Sequence, residues 1–396
     1  MRNSFLFLIF LFLSLRAISQ TESDVIDKAN SLIADKKYES AFDALENFDT
    51  KNASPDIVLL KEKIALNYYI TSIMHQMFTF KDLKAGEDIM DYRGKSEETQ
   101  NIHMFPINDI LDSLIQLYPA NCKLKKGLGD YLFDYNLRYG NMLAMSADSM
   151  FELIDKNYKK AIDGNCADYK TYYVMGYMNI ANEKYTEGIP YLKKSIDLDS
   201  TYASSFYNLA FAYMQLDKND SALQFATKAL ALYDDTVYKG DAARMIGSIY
   251  MGFKDNTKAI TFYELSNKID PGNYYTLRAL LYLYVMSNDS KESKTLNDLF
   301  LIAPNNSTIY GALANVYFTA NKTETLISFY NSQLSKYKKD PEVLGNLNFF
   351  LAQLYLDKDK KMTKKYLLKS KENFSKVYKA DHQVFKVIDA GLESLK

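Results

Sequence analysis

Tryptophan is absent from this chain of 396 residues, histidine occurs three times and cysteine twice. Glycine (15) and proline (7) are scarce as well. Turns and sheet connections draw heavily on those two residues, so their scarcity points to helix. No sign of charge dominates: Lys+Arg 48 against Asp+Glu 49 leaves a formal net charge of -1. That balance argues against nucleic acid or an anionic membrane surface as the main partner, since both favour a basic surface. Catalytic signatures are missing too. The chain holds no HExxH, CxxC, GxSxG, P-loop or GxGxxG, motifs that place nucleophiles, metal ligands or phosphate-cradling glycines. His75, His103 and His382 stand without partners at metal-ligand spacing, and the acids fall on polar helix faces without a paired arrangement. Met74 to Met77 ("MHQM") with His103 and Met104 could be written as a soft-metal site. Methionine is a common core filler, so a helix face plus a loop is the preferred reading. The chain is expected to be non-catalytic, with no cofactor and no metal.

What is present begins with a targeting segment. Arg2 is a short positive region, Phe5 to Leu13 an unbroken apolar run, and Ala17-Ile18-Ser19 a small-x-small cleavage signal. Residues 1–19 therefore read as a signal peptide, with an uncleaved anchor as the alternative, although the run is short for a bilayer span of about 20 residues. No cysteine lies near the cleavage point, so a bacterial lipid anchor is not expected there, and no later segment looks membrane-spanning. The mature chain is expected to be exported to the periplasm, cell surface or medium, where Cys122 and Cys166 would meet oxidising conditions. Equivalent places in neighbouring helical repeats would sit about 8–10 Å apart. A disulfide needs Cα atoms roughly 4.4–6.8 Å apart, so two free buried thiols are expected.

The strongest pattern lies in "FYNLAFAYMQLDKNDSALQFATKAL", residues 206–230. Small residues recur in columns within runs of large apolar ones: Gly176, Ala210, Gly247 and Ala314, with Leu281 as the large exception. A second column reads Gly188, Ala222, Ala259, Ser293, and a third Ser195, Ala229, Ser266. Gly176 and Ala210 are 34 residues apart, Ala210 and Gly247 37. Tyr213, Tyr250, Tyr284, Tyr317 and Tyr355 form a tyrosine column three residues behind the first. Each unit shows two apolar helical stripes around a polar turn such as Asp217 to Asp220, with Asp220 placed to cap the second helix. Side chains larger than Cβ at a close helix crossing would force the axes apart, so the small residues are packing devices.

Through Leu209-Ala210, Tyr213, Ala222, Ala226 and Ala229, and through Ile246-Gly247, Tyr250, Ala259, Tyr263 and Pro271, the chain resembles the tetratricopeptide repeat, a helix-turn-helix unit of about 34 residues. The resemblance implies an all-α solenoid, with repeats at 169–202, 203–236, 240–273, 274–306, 307–340 and 341–375 and another at 22–55. Residues 20–168 are read as irregular helical repeats, out of register from 56, with a polar insertion loop at 82–106 and an over-long repeat at 125–168. A lysine-rich tail from Asp357 and a helix at 376–396 would cap the array. Its cluster Lys358, Lys360, Lys361, Lys364 and Lys365 reads as a solvated helix face before an interaction site.

The first helix of each pair lines the concave surface in the family. Carried over, that places Tyr173, Tyr177, Tyr207, Phe211, Met214, Arg244, Tyr275, Arg278 and Tyr282 in a groove. Aromatic residues and arginine are the types enriched at binding hot spots. The expected role is a scaffold or adaptor binding a protein or peptide partner along that face. A glycan- or small-ligand-binding protein is the alternative, since tyrosines also stack sugar rings. An enzyme hidden in 56–168 would need a pocket around His75 and His103. Oligomeric state is left open.

Overall fold

Close helix crossings tolerate only small side chains, and the fold follows from where those occur. In a computed structural model, residues 21–95, 101–142 and 145–395 are described; the signal peptide expected at 1–19 lies outside them. The chain divides into two compact units at Met178/Asn179, each treated by itself below.

In the first unit, α1 (Glu22–Ala34) and α2 (Tyr38–Phe48) form a helical hairpin, followed by α3 (Pro55–Asn67). A small antiparallel sheet comes next: β1 (Thr71–Ile73), β2 (Met77–Thr79) and β3 (His103–Met104), in that order. Then follow α4 (Ile107–Leu117), α5 (Cys122–Tyr139), α6 (Ala147–Asp163) and α7 (Tyr169–Ala181), within which the division falls. The sheet corrects two expectations. The helical pattern does not run through 71–79, and Met74 to Met77 lie in a hairpin instead of on a helix face. A short apolar run with Thr71, Ile73 and Thr79 suits either structure by periodicity alone. The segment 82–106 is also not all loop, since His103 and Met104 pair with Phe78 and Met77. Within the over-long repeat, Gly129 lets α6 approach α5: a Cβ there would stand 2.6 Å from the Tyr158 ring.

Cys122 and Cys166 are bonded, with Cα atoms 5.8 Å apart, which overturns the expectation of free thiols. They do not occupy equivalent helix positions. Cys122 is the first residue of α5, while Cys166 lies in the turn after α6, brought inward by left-handed backbone at Asn165.

Glu62 on α3 is buried, its Oε1 has no hydrogen-bond partner, and Gly127 on α5 leaves room for its carboxyl. Burial pushes this carboxyl well above the ordinary range; Asp130 adds to the shift and Lys126 opposes it. A carboxyl raised in the folded state contributes fully below its unfolded pKa, and that contribution is lost as pH rises through the folded value. Glu62→Gln should therefore melt close to the native chain at about pH 4 and above it at about pH 9. A melting difference that stays flat with pH would show that Glu62 titrates normally.

The second unit continues with α8 (Tyr185–Leu198) and then five helix pairs: α9 (Ala203–Gln215) with α10 (Asn219–Leu232), α11 (Thr236–Gly252) with α12 (Asn256–Ile269), α13 (Tyr274–Ser287) with α14 (Glu292–Leu301), α15 (Ser307–Thr319) with α16 (Thr323–Lys336), and α17 (Pro341–Tyr355) with α18 (Lys360–Phe374). The last helix, α19 (Gln383–Glu393), is shorter than the 376–396 expected. Ala210, Ala222, Ala226 and Ala229 are all fully buried. The third column docks successive units through buried hydroxyl pairs: Ser195 with Ser205 at 2.8 Å and Ser266 with Thr276 at 2.9 Å. Between them Ala229 packs with Ala242 and Phe206. Leu281, the large exception, is absorbed by packing with Leu296, Leu299 and Phe300.

The turns of the first four of these pairs carry one residue in left-handed backbone: Asp217, Lys254, Asn288 and Asn321. Asp220 is not a cap. Helix α10 starts two residues earlier than such a cap would place it, with Lys218 at its N-cap, so Asp220 sits in the first turn, where its charge meets the positive helix end. Pro190 lies at the sixth residue of α8, deeper than the first turn, on an exposed side where water can satisfy the carbonyl it leaves unpaired. Ala210→Leu should overpack the α9–α10 crossing and cost about 1–3 kcal/mol, visible as a lower melting temperature; an unchanged melt would refute the crossing.

Candidate functional site

Three successive first helices present the same stripe. On α11, Arg244, Ser248 and Met251 follow a spacing of four and three; on α13, Tyr275, Arg278, Ala279 and Tyr282 do the same; α15 adds Asn315, Val316 and Thr319. Residues at these spacings share a helix face. The three stripes, with Tyr263 from α12, line one cavity of about 330 Å³.

Tyr263 enters this wall because Gly247 yields: a Cβ at Gly247 would stand 3.0 Å from three atoms of its ring. Its hydroxyl meets Ser248 Oγ at 2.8 Å and lies 3.5 Å from Met251 Sδ. Arg244 Nη2 donates to Asp241 Oδ1 at 2.6 Å, and its guanidinium lies 5.5 Å from the centre of the Tyr275 ring. Burial works against the charge on Arg244, but the Asp241 hydrogen bond and charge outweigh it and hold its pKa above the ordinary value. Arg244 Nε is shut from solvent without a partner. Tyr275 stands 62% exposed at the rim, and Arg278 is exposed beside it.

Of the nine groove residues expected from the sequence, Arg244, Tyr275, Arg278 and Tyr282 are brought together here. Tyr207, Phe211 and Met214 are half-buried on α9 and do not line the cavity. Tyr207 packs edge-on to Tyr233 at 6.3 Å, and Phe211 edge-on to Tyr185 at 6.3 Å. Burial, with Asp241 adding, pushes up the Tyr207 hydroxyl, which Arg244 opposes. Tyr173 and Tyr177 belong to the first unit, stacked at 6.1 Å, with Tyr177 edge-on to Phe133. Ser248 and Met251 continue the helical spacing from Arg244 and could have been read from it. Tyr263 could not, since it reaches the cavity from a second helix.

His75 and His103 are both used internally. His75 is fully buried, bonding Ser72 Oγ through Nδ1 at 2.7 Å and Asp134 Oδ2 through Nε2 at 2.6 Å. Rings of Tyr69, Phe78 and Tyr139 close around it. This serine–histidine–aspartate chain ties the hairpin to α5. His103 Nδ1 lies 3.1 Å from Glu46, which also approaches the buried Lys61 at 3.6 Å. Asp43, Glu46 and His103 could together offer three ligand atoms. Lys61 already supplies a cation there, held by Asn52 at 2.8 Å and by the faces of Phe42 and Phe105.

Comparison with known families matches residues 169–202, 203–236 and 245–273 to the tetratricopeptide repeat. Anaphase-promoting complex subunit 3 of Schizosaccharomyces pombe is 24% identical over 161 residues, 40% of this chain and only 24% of that protein. A tetratricopeptide repeat protein from Parabacteroides merdae has a TM-score of 0.41 at 15% identity, covering 67% of this chain and 98% of its own. The anaphase-promoting hetero-tetramer Cut9–Hcn1 gives 0.38 at 14% identity, covering 94% of this chain and 76% of that one. No helix among the described residues is long and apolar enough to cross a membrane.

Proposed function

This chain carries tetratricopeptide repeats, and from that premise we propose that it is a non-catalytic scaffold or adaptor binding a polypeptide along the first-helix face of its second unit. One observation carries the reading: stripes on α11, α13 and α15 converge on a single cavity walled by tyrosines and two arginines. Such residues anchor interfaces because they present large, fairly rigid surfaces with a polar end. The test starts from a crosslinked pull-down with the mature chain in its native envelope, which supplies the partner. Tyr275→Ala with Arg278→Ala should then weaken binding of that purified partner on the order of thirtyfold or more. Melting should hardly change, because both side chains are exposed. Glutamine at Lys360, Lys361, Lys364 and Lys365 should do much less. If the lysine variant loses the partner and the groove variant keeps it, the site is the C-terminal face. Competition by free oligosaccharide would favour a glycan instead.

Export belongs to the same proposal. The apolar N-terminal run and a disulfide suited to an oxidising compartment support it. Cleavage after Ser19 would also leave intact the capping box at Thr21 and Asp24 that starts α1. N-terminal sequencing of the native protein should begin near Gln20 or Thr21; an intact Met1 in a cytosolic fraction would refute export.

A further inference from the structure

The cavity between α11, α13 and α15 carries charge of one sign only. Arg244 and Arg278 line it, and the remaining wall is neutral, with no acid facing them. Asp241, one turn before Arg244, takes one of its nitrogens, Nη2. Arg278 makes no hydrogen bond or ion pair among the described residues. Its guanidinium is therefore open to a ligand that enters the cavity. Two cations facing the same space also repel each other. An anionic group entering the cavity offsets that repulsion and pairs with Arg278, and a planar carboxylate matches the donor fork of a guanidinium.

Shape narrows the class further. Gly311 stands one turn before Asn315 on the same side of α15, is exposed, and has open space where a Cβ would be. A chain can therefore pass close to α15 while side chains reach the wall. Tyr275 and Tyr282 offer aromatic surface beside the arginines. A polyanion such as nucleic acid fits poorly, because the chain as a whole is balanced in charge. We infer that this cavity takes an acidic side chain of an extended polypeptide, its carboxylate against Arg244 and Arg278 and a neighbouring bulky residue against Tyr275. The inference rests on the polypeptide-binding reading above and adds the chemistry of the bound segment.

The test uses the full mature chain and short peptides labelled with fluorescein at the N-terminus and amidated at the C-terminus, so that only side chains carry variable charge. Three versions share leucine and phenylalanine positions and differ in carrying glutamate, glutamine or lysine between them. Fluorescence polarisation should show the glutamate peptide binding about tenfold or more tighter than the glutamine one. That advantage should shrink at about 0.5 M salt, where surface charge is screened. Arg278→Gln should bring the glutamate peptide close to the glutamine peptide's affinity. Gly311→Trp should weaken binding of the glutamate and glutamine peptides without lowering the melt, since nothing stands near that Cβ. Equal affinity for glutamate and glutamine peptides, or absence of binding by the glutamate peptide, overturns the acidic reading. If the glutamate and glutamine peptides bind equally and Gly311→Trp still blocks both, the polypeptide groove survives and only its charge preference is wrong. Glutamate-selective binding untouched by both Gly311→Trp and Arg278→Gln places the acid site elsewhere and overturns the inference.

Discussion

Phe300→Ala is expected to cost the second unit about 3–5 kcal/mol and to strip amide protection from α13 to α16 first. Phe300 lies fully buried at the end of α14, where three rings meet it edge-on: Tyr310 at 5.6 Å, Phe329 at 5.4 Å and Tyr337 at 5.8 Å. Removing it forfeits the transfer free energy of the ring and three edge-to-face contacts. It also leaves a cavity that rigid neighbouring helices cannot close. Repeat arrays are stabilised by nearest-neighbour interfaces, so the loss should be local before it becomes global. Hydrogen exchange followed by mass spectrometry reads this directly. Phe318→Ala is the control: the side chain is 49% exposed on α15, and its loss should change stability by about 0.5 kcal/mol or less. Equal effects from the two variants would refute the buried ring cluster.

Replacing both Cys122 and Cys166 by alanine should destabilise the first unit by about 4 kcal/mol in the chain-entropy account. The bond spans a sequence separation of 44 and joins the start of α5 to the turn after α6. Without it the unfolded chain regains that loop freedom, while Gly129 and Tyr158 still hold the two helices together in the fold. The native protein in reducing buffer should match the double variant in a denaturant titration monitored in the first unit. A native midpoint unmoved by reductant would show that the cysteines are not bonded.

Legibility in the sequence followed the physics of each feature. The small columns could be read at Ala210, Ala222 and Ala229 because a close helix crossing leaves no choice of side chain, whatever the surroundings. The hairpin at 71–79 could not, since short apolar runs with β-branched residues suit either period and His75 bonds to Asp134 from a distant helix. Nor could the disulfide: the helix-packing argument treated both cysteines as points on helix axes, whereas one lies in a turn bent inward at Asn165.

The candidate site divides the same way. A first-helix stripe through Arg244, Tyr275, Arg278 and Tyr282 was implied by the resemblance to the tetratricopeptide repeat, in which the first helix of each pair lines the concave face. Which part of that stripe becomes a cavity depended on Tyr263, swung into the wall where Gly247 lacks a side chain, and on Asn315 and Thr319 from the next first helix. Tyr207 and Phe211, equally plausible by spacing, instead pack edge-on to Tyr233 and Tyr185.

By itself, the sequence determined that the chain is helical, that its helices pair in units of about 34 residues, and which residues sit at the crossings. Those properties rest on local spacing and on side-chain size, which act within a single helix pair. Tertiary structure alone decided where the backbone leaves the helical repeat, which cysteine reaches its partner, and which aromatic and cationic side chains share one space. Such outcomes depend on rotations and turns summed over several elements, and no local pattern carries that sum.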